Sequence, residues 1–324
     1  MDKVQLGKSG VWASALALGS DVLGSKIDRT TTFGLFDYFF DRGGTLIDTA
    51  NFYASWLPGC KGGESESTLG AWMKERGNRN QLLISSKLGF DYPGSPGGLT
   101  AQEVERECEK SLKRLQTDHL DIYYAHRDDF ATPLEETMAA FDRLVKAGKV
   151  RVLGASNLSV WRIAEANTIA AANHWRGYQV IQQRYTYVRP RHGADFGPQI
   201  FLGEDMKAFA KYHGITLVAY SVLLQGTYTR NERQLPAQFA GVDSDERIKA
   251  LKTVAAELGV SPNQVVIAWM RQSDPMVLPI IAGSRTEQLQ ENMDALNLKL
   301  SSEQMNRLSS AGNPVILEAW LQPT

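Results

Sequence analysis

Apolar residues in this chain come in short continuous runs, separated by longer stretches where they recur every three or four positions. Eight runs stand out, at 15–18, 45–47, 82–86, 120–124, 150–155, 180–181, 216–219 and 277–281. They do not alternate with polar residues, as expected of strands in a parallel sheet covered on both faces. The stretches between them carry helix start signals. Thr100 precedes Glu103, and Thr132 precedes Glu135 with Pro133 in the first turn; both fit a capping box. Ser261-Pro262 with Gln264 repeats the device. After Thr132, Leu134, Met138, Phe141 and Val145 fall on one face, and Gly148 marks the stop.

Eight strands, each followed by a helix, in a chain of 324 residues without a low-complexity linker predict one α/β domain over 1–324, a (β/α)8 TIM barrel. A doubly wound open sheet is the competing arrangement, but it wants a glycine-rich first turn, and no GxGxxG occurs. Before the first strand, Gly7-Lys8-Ser9-Gly10 lies between two short alternating runs and reads as an N-terminal β-hairpin closing the bottom of the barrel. Its GKS is not a phosphate loop: the required earlier glycine is Asp2, and no helix follows.

Composition narrows the partners. Lys+Arg 35 against Asp+Glu 36 leaves a formal net charge of -1, with no basic stripe, which speaks against nucleic acid. The first residues have no apolar core of a signal peptide, and the most apolar window, 215–224, is too short to span a membrane. Two cysteines, Cys60 and Cys108, stand far apart, which fits a reducing, cytoplasmic setting without disulfides.

The chemistry sits where the strands end. In such barrels the C-terminal ends of the strands face the active site. The run in GTLIDTANFY, residues 44–53, stops at Asp48, with Tyr53 five residues on. Lys87 follows the third run and His126 the fourth, at equal spacings of 39 residues from Asp48 to Lys87 to His126, about one strand-helix unit each. Ser156-Asn157, Gln182 and Tyr220 end later runs. Taken singly, an aspartate here is usually a turn former, a lysine a solvated charge and a histidine a packed core residue. Together they must pair, because an unpaired buried ion costs several kcal/mol. A phenol is a weak acid, with a pKa near ~10. A lysine beside it stabilises the phenolate and lowers that pKa, an aspartate holds the lysine, and a neutral histidine orients a carbonyl oxygen. Such a set suits protonation of an oxygen while hydride arrives at carbon. A metal-dependent hydrolase would need clustered His and carboxylate ligands. His126 alone ends a strand, while His119, His174, His192 and His213 lie elsewhere, so no metal is expected.

With these residues in hand the sequence resembles the aldo-keto reductase family. The likeness runs from the hairpin to about position 292, through GGTLIDTANFY, ISSKLG, DIYYAHRDD, GKVRVLGASN and AYS. It implies an NADP-dependent oxidoreductase with Asp48, Tyr53, Lys87 and His126 as catalytic residues and Tyr53 as the acid. It further implies NADP(H) bound extended, with Ser156, Asn157 and Gln182 on the carboxamide and Tyr220 stacked on the nicotinamide. Ser221, Leu223, Gln225 and Gly226 would line the pyrophosphate. The adenosine phosphate would fall to Gly283, Ser284, Arg285, Gln288, Glu291 and Asn292. Gln288 departs from the arginine common in relatives, leaving Arg285 as the main cation toward the 2'-phosphate. Long loops at 55–63, 89–98 and 225–243 are the ones to shape a substrate pocket. Trp56, Phe90, Tyr92, Phe130 and Trp320 are candidate lining residues. The expected activity is reduction of a small-molecule aldehyde, ketone or keto-sugar. An alcohol or sugar dehydrogenase run oxidatively is the alternative. A nucleotide-sensing regulatory subunit is a third reading, disfavoured because the hairpin starts so near Met1.

Overall fold

Eight parallel strands close into a barrel in the computed structural model, which describes residues 1–230 and 232–313. An antiparallel hairpin precedes it, β1 (Lys3–Gln5) with β2 (Trp12–Ser14). The barrel strands are β3 (Ala17–Gly19), β4 (Leu46–Asp48), β5 (Leu83–Leu88), β6 (Leu120–Ala125), β7 (Val150–Ser156), β8 (Tyr178–Arg184), β9 (Thr216–Tyr220) and β10 (Val277–Ile281), with β10 returning to pair with β3. Each predicted run overlaps one of them. The limits moved most at β8, where polar residues extend the strand; β3 begins two residues later than expected, and Lys87 lies inside β5 rather than after it.

The helices between them are α1 (Arg29–Asp41), α2 (Glu64–Arg76), α3 (Ala101–Leu115), α4 (Leu134–Lys146), α5 (Val160–Ala172) and α6 (Glu204–His213). Then come α7 (Val242–Leu258), α8 (Pro262–Gln272), α9 (Thr286–Asp294) and α10 (Ser302–Ser310). The caps answer the sequence unevenly. Ser261 and Gln264 form a full capping box at α8. Thr100 caps α3 through the Glu103 N–H, but the Glu103 carboxylate turns to Arg106 instead of closing the box. Thr132 does not cap α4, because its hydroxyl donates to Asp129 Oδ2 at 2.6 Å.

Two apolar clusters make the core. The larger fills the space between strands and helices. The smaller lies inside the barrel, where Ala17, Leu46, Leu83, Ile122, Val152, Val180, Val218 and Leu278 point inward, one from each strand. Leu6, Val11 and Ala13 of the hairpin join it and stopper the end at which the strands begin. The hairpin is tied there: the Gly7 N–H donates to Thr216 Oγ1 at 2.7 Å and the Lys8 N–H to Gln179 Oε1 at 2.9 Å. Only glycine suits position 7, where φ is +55° and a Cβ would lie 2.6 Å from the Gln179 carbonyl oxygen. No helix among the described residues is long and apolar enough to cross a membrane.

Candidate active site

Alternation along each strand carries the site. Side chains two apart share a face. Above the inward Leu46 therefore comes Asp48; above Leu83 come Ser85 and Lys87; above Val180 comes Gln182; and above Val218 comes Tyr220. Apolar residues fill the barrel toward its stoppered end, and polar ones gather where the strands finish.

There the Lys87 ammonium is fully buried, 2.5 Å from Asp48 Oδ2, 2.8 Å from the Thr49 carbonyl oxygen and 2.9 Å from the Tyr53 hydroxyl. Asp48 Oδ1 accepts from Ser85 Oγ at 2.6 Å and from Gln182 Nε2 at 2.9 Å. Tyr53 lies on the loop after β4, and its ring centroid stands 6.0 Å from that of His126. His126 Nδ1 is buried without a hydrogen-bond partner among the described residues.

Burial dominates the electrostatics. It pushes the Tyr53 phenol well above the usual tyrosine range, and the Asp48 carboxylate pushes the same way. This reverses the sequence expectation that lysine would lower it. Removal from water and the adjacent carboxylate outweigh one ammonium. Burial also lowers the Lys87 pKa, with Asp48 opposing. Burial and then the Lys87 charge push His126 well below the ordinary histidine range, so its ring is neutral.

Tyr53, His126 and Gln182 open on a cavity of about 1120 Å³, while Asp48 and Lys87 stay buried behind them. Its wall near Tyr53 is aromatic. Phe52 stacks on Phe90 at 4.8 Å and packs against Trp56 at 5.3 Å. Its other end runs past Tyr220, Ser221, Leu223, Gln225 and Gly226 to Gly283, Ser284, Arg285, Gln288, Glu291 and Asn292. Ser156 is fully buried beneath the wall, and its hydroxyl accepts from Asn157 Nδ2 at 3.2 Å. Asn157 also donates Nδ2 to the His126 carbonyl, and its Oδ1 accepts from the Tyr220 hydroxyl at 2.7 Å. Four residues on this wall, Asn157, Ser221, Leu224 and Gln225, have φ between +44° and +60°, a conformation that costs on the order of 1–3 kcal/mol per residue and clusters at ligand sites.

Two of the expected lining residues lie elsewhere. Tyr92 turns away and donates to Glu107 Oε2 at 2.7 Å. Phe130 is exposed, tilted against Trp161 with Arg162 over its ring. Trp320 falls outside the described residues. Sequence reasoning missed Asp21, Phe52, Asn263, Arg230 and Arg233, all on the cavity wall. Phe52 stood next to Tyr53 in the motif; the others carried no spacing signal.

A model of the aldo/keto reductase family matches residues 15–313. The chain belongs to the aldo/keto reductase family. Its relatives include norsolorinic acid reductase of Aspergillus flavus, 29% identical over 94% of this chain and 79% of that one. Aldo-keto reductase ausK of Emericella nidulans is 30% identical over 94% and 80%. Aryl-alcohol dehydrogenase [NADP(+)] of Phanerodontia chrysosporium is 29% identical over 93% and 83%. This aldo/keto reductase is thus an oxidoreductase of a carbonyl-reducing family that uses nicotinamide cofactors. The cavity fits such a dinucleotide. Arg230, Arg233 and Arg285 line it together with Tyr53 and His126, and none of the three is in a salt bridge with a described residue. Asn263, whose Oδ1 is buried and without a partner among the described residues, lines the same cavity. Among the described residues no group of three His, Cys, Asp or Glu side chains is placed to hold a metal ion.

Proposed function

We propose that this aldo/keto reductase reduces a carbonyl compound with NADPH, with Tyr53 as the general acid. The observation that carries the reading is the contact of the Tyr53 hydroxyl with the buried Lys87 ammonium, itself held by Asp48. When bound, the reduced nicotinamide supplies hydride to the carbonyl carbon. Tyr53 gives its proton to the oxygen as that carbon–oxygen double bond becomes single, and Lys87 balances the phenolate left behind. Neutral His126 donates a hydrogen bond that orients the oxygen. Asn157 and Gln182 offer amides to the carboxamide, and Tyr220 its ring face.

The raised Tyr53 pKa keeps the phenol protonated throughout the neutral range, the form that reduction uses. The name of one relative, aryl-alcohol dehydrogenase [NADP(+)], keeps an oxidative reading in view. That direction needs Tyr53 as a base, so it would gain with rising pH. Support for NADPH comes from the arginines that line the cavity. A panel of aldehydes, ketones and keto-sugars with NADPH, and of the matching alcohols with NADP⁺, tests the reading by the absorbance of the reduced nicotinamide. Turnover of carbonyls with NADPH is expected, and no turnover in either direction would refute it.

A further inference from the structure

One ionisable side chain on the cavity wall has no part in the reaction just described. Asp21 lies two residues beyond Gly19, the last residue of β3. Alternation from the inward Ala17 through Gly19 gives Asp21 the same parity that Asp48 and Lys87 have on their strands. Its backbone is pinned. The buried Ser20 donates its N–H at 3.1 Å and its hydroxyl at 2.8 Å to the Asp48 carbonyl oxygen. The Leu23 N–H donates to the Ser20 carbonyl at 3.1 Å, closing a turn with Asp21 and Val22 at its corner. Asp21 therefore moves with the strand end that carries Asp48.

The side chain opens on the same cavity as Tyr53 and His126. No side-chain donor among the described residues reaches its carboxylate, and the nearest help is the Val22 N–H in its own turn. Lys87 and Tyr53 both feel its charge. The carboxylate is exposed where it lines the cavity, so its lone pairs are free for a ligand. A ligand ammonium here would also meet the Lys87 ammonium. Neutral hydroxyl donors avoid that repulsion. The wall beside it suits the same ligand, since Phe52, Trp56 and Phe90 can cover the carbon–hydrogen face of a polyol.

We propose that Asp21 sets substrate choice: it accepts hydrogen bonds from hydroxyls near the reacting carbonyl, so that hydroxylated, sugar-like carbonyl compounds are favoured over plain ones. This rests on the carbonyl-reductase reading of the same site. The test compares glyceraldehyde with propanal, equal in carbon count, in the wild type, Asp21→Ala and Asp21→Asn. In Asp21→Ala, kcat/KM for glyceraldehyde falls about 10- to 100-fold, the scale of one or two lost hydrogen bonds to a charged group, while propanal falls at most ~3-fold. Asp21→Asn, which keeps an acceptor but not the charge, lies between. NADPH affinity, read from tryptophan fluorescence, holds. Equal losses on both aldehydes overturn the proposal. So does a parallel loss of NADPH affinity, which would assign Asp21 to the ribose hydroxyls of the cofactor. Xylitol titrated into the protein with NADP⁺ gives a readout without turnover, and its binding weakens about tenfold or more in Asp21→Ala on the same scale. If no carbonyl is turned over, the functional reading fails by itself, and unchanged xylitol binding then refutes the role of Asp21.

Discussion

The Asn51 amide donates to Glu107 Oε2 at 2.7 Å, joining the loop that carries Tyr53 to helix α3. Tyr92, from the next loop, donates to the same oxygen at 2.7 Å. Burial alone would raise the Glu107 carboxyl, but hydrogen bonds from Tyr92, Lys110 and Asn51 outweigh it and hold the pKa below the usual range. Glu107 thus positions Tyr53 without touching the cavity. Glu107→Ala removes the acceptor of three donors, Asn51, Tyr92 and Lys110, and is expected to cost about 1–3 kcal/mol of stability for each one left buried. It should also lower kcat about tenfold, since a small misplacement of a reacting group is costly. Glu107→Gln keeps an acceptor and should recover most of both. Urea melts and steady-state kinetics decide it, and a kcat untouched in Glu107→Ala would rule out the positioning role.

Tyr53→Phe keeps the ring and its packing against Phe52 and Trp56 but removes the proton. Reduction is expected to fall at least ~100-fold, the ordinary scale of general acid catalysis. NADPH affinity should hold. Near-normal turnover would remove Tyr53 from the mechanism.

Lys87→Met fits the space but leaves Asp48 buried beside Tyr53 with no cation. Breaking a buried pair in this way costs about 3–5 kcal/mol. Loss of activity and a lower urea midpoint are expected together. A variant as stable and active as the wild type would contradict the pairing.

The pH dependence follows from two buried groups. Tyr53 is raised above its free value and His126 lowered below its own, both chiefly by burial. Reduction needs Tyr53 protonated and His126 neutral. Its rate should therefore be flat between the free values of about 6.5 and 10. Oxidation should climb with pH across the same span. For stability, the folded chain binds a proton at His126 less readily than the unfolded chain. Stability is therefore complete above about 6.5 and falls as pH drops toward the folded value. Denaturant midpoints at pH 5 and pH 7 measure it for the wild type and for His126→Leu, in which that part of the decline should vanish.

Cofactor preference divides among the arginines. Arg285 is the N-cap residue of α9, where backbone N–H groups favour an anion. Gln288 Oε1 accepts from both the Ser284 N–H, at 2.9 Å, and the Ser284 hydroxyl, so it shapes that turn. Arg230 packs against Gly226, in the loop expected along the pyrophosphate. Arg285→Ala is expected to weaken NADPH about 10- to 100-fold and NADH little, the scale of one charge-assisted contact. Arg230→Ala should weaken both alike. Fluorescence titrations with the two cofactors separate these outcomes, and equal effects on both from Arg285→Ala would show that it does not read the 2'-phosphate.

The barrel was legible in the sequence because its strands are short apolar runs and its helices amphipathic, both local patterns set by side-chain period. The positions of Asp48, Lys87 and His126 were legible for the same reason: each follows such a run, and parallel strands bring the ends of consecutive units together. Other features needed the fold. The pKa of Tyr53 depends on how much water burial removes, which no residue type reveals. Tyr92 and Phe130 were expected on the cavity, but loop paths are decided by distant partners, Glu107 for one and Trp161 with Arg162 for the other. Thr132 looked like a cap until Asp129 claimed its hydroxyl. Asp21, Arg230 and Arg233 meet the cavity only because the closed barrel brings β3 beside β10 and curls the loop after β9 over the same opening. Local order came from the periodicity of the chain, and the electrostatics and the ligand-facing surface came from contacts between residues far apart in it.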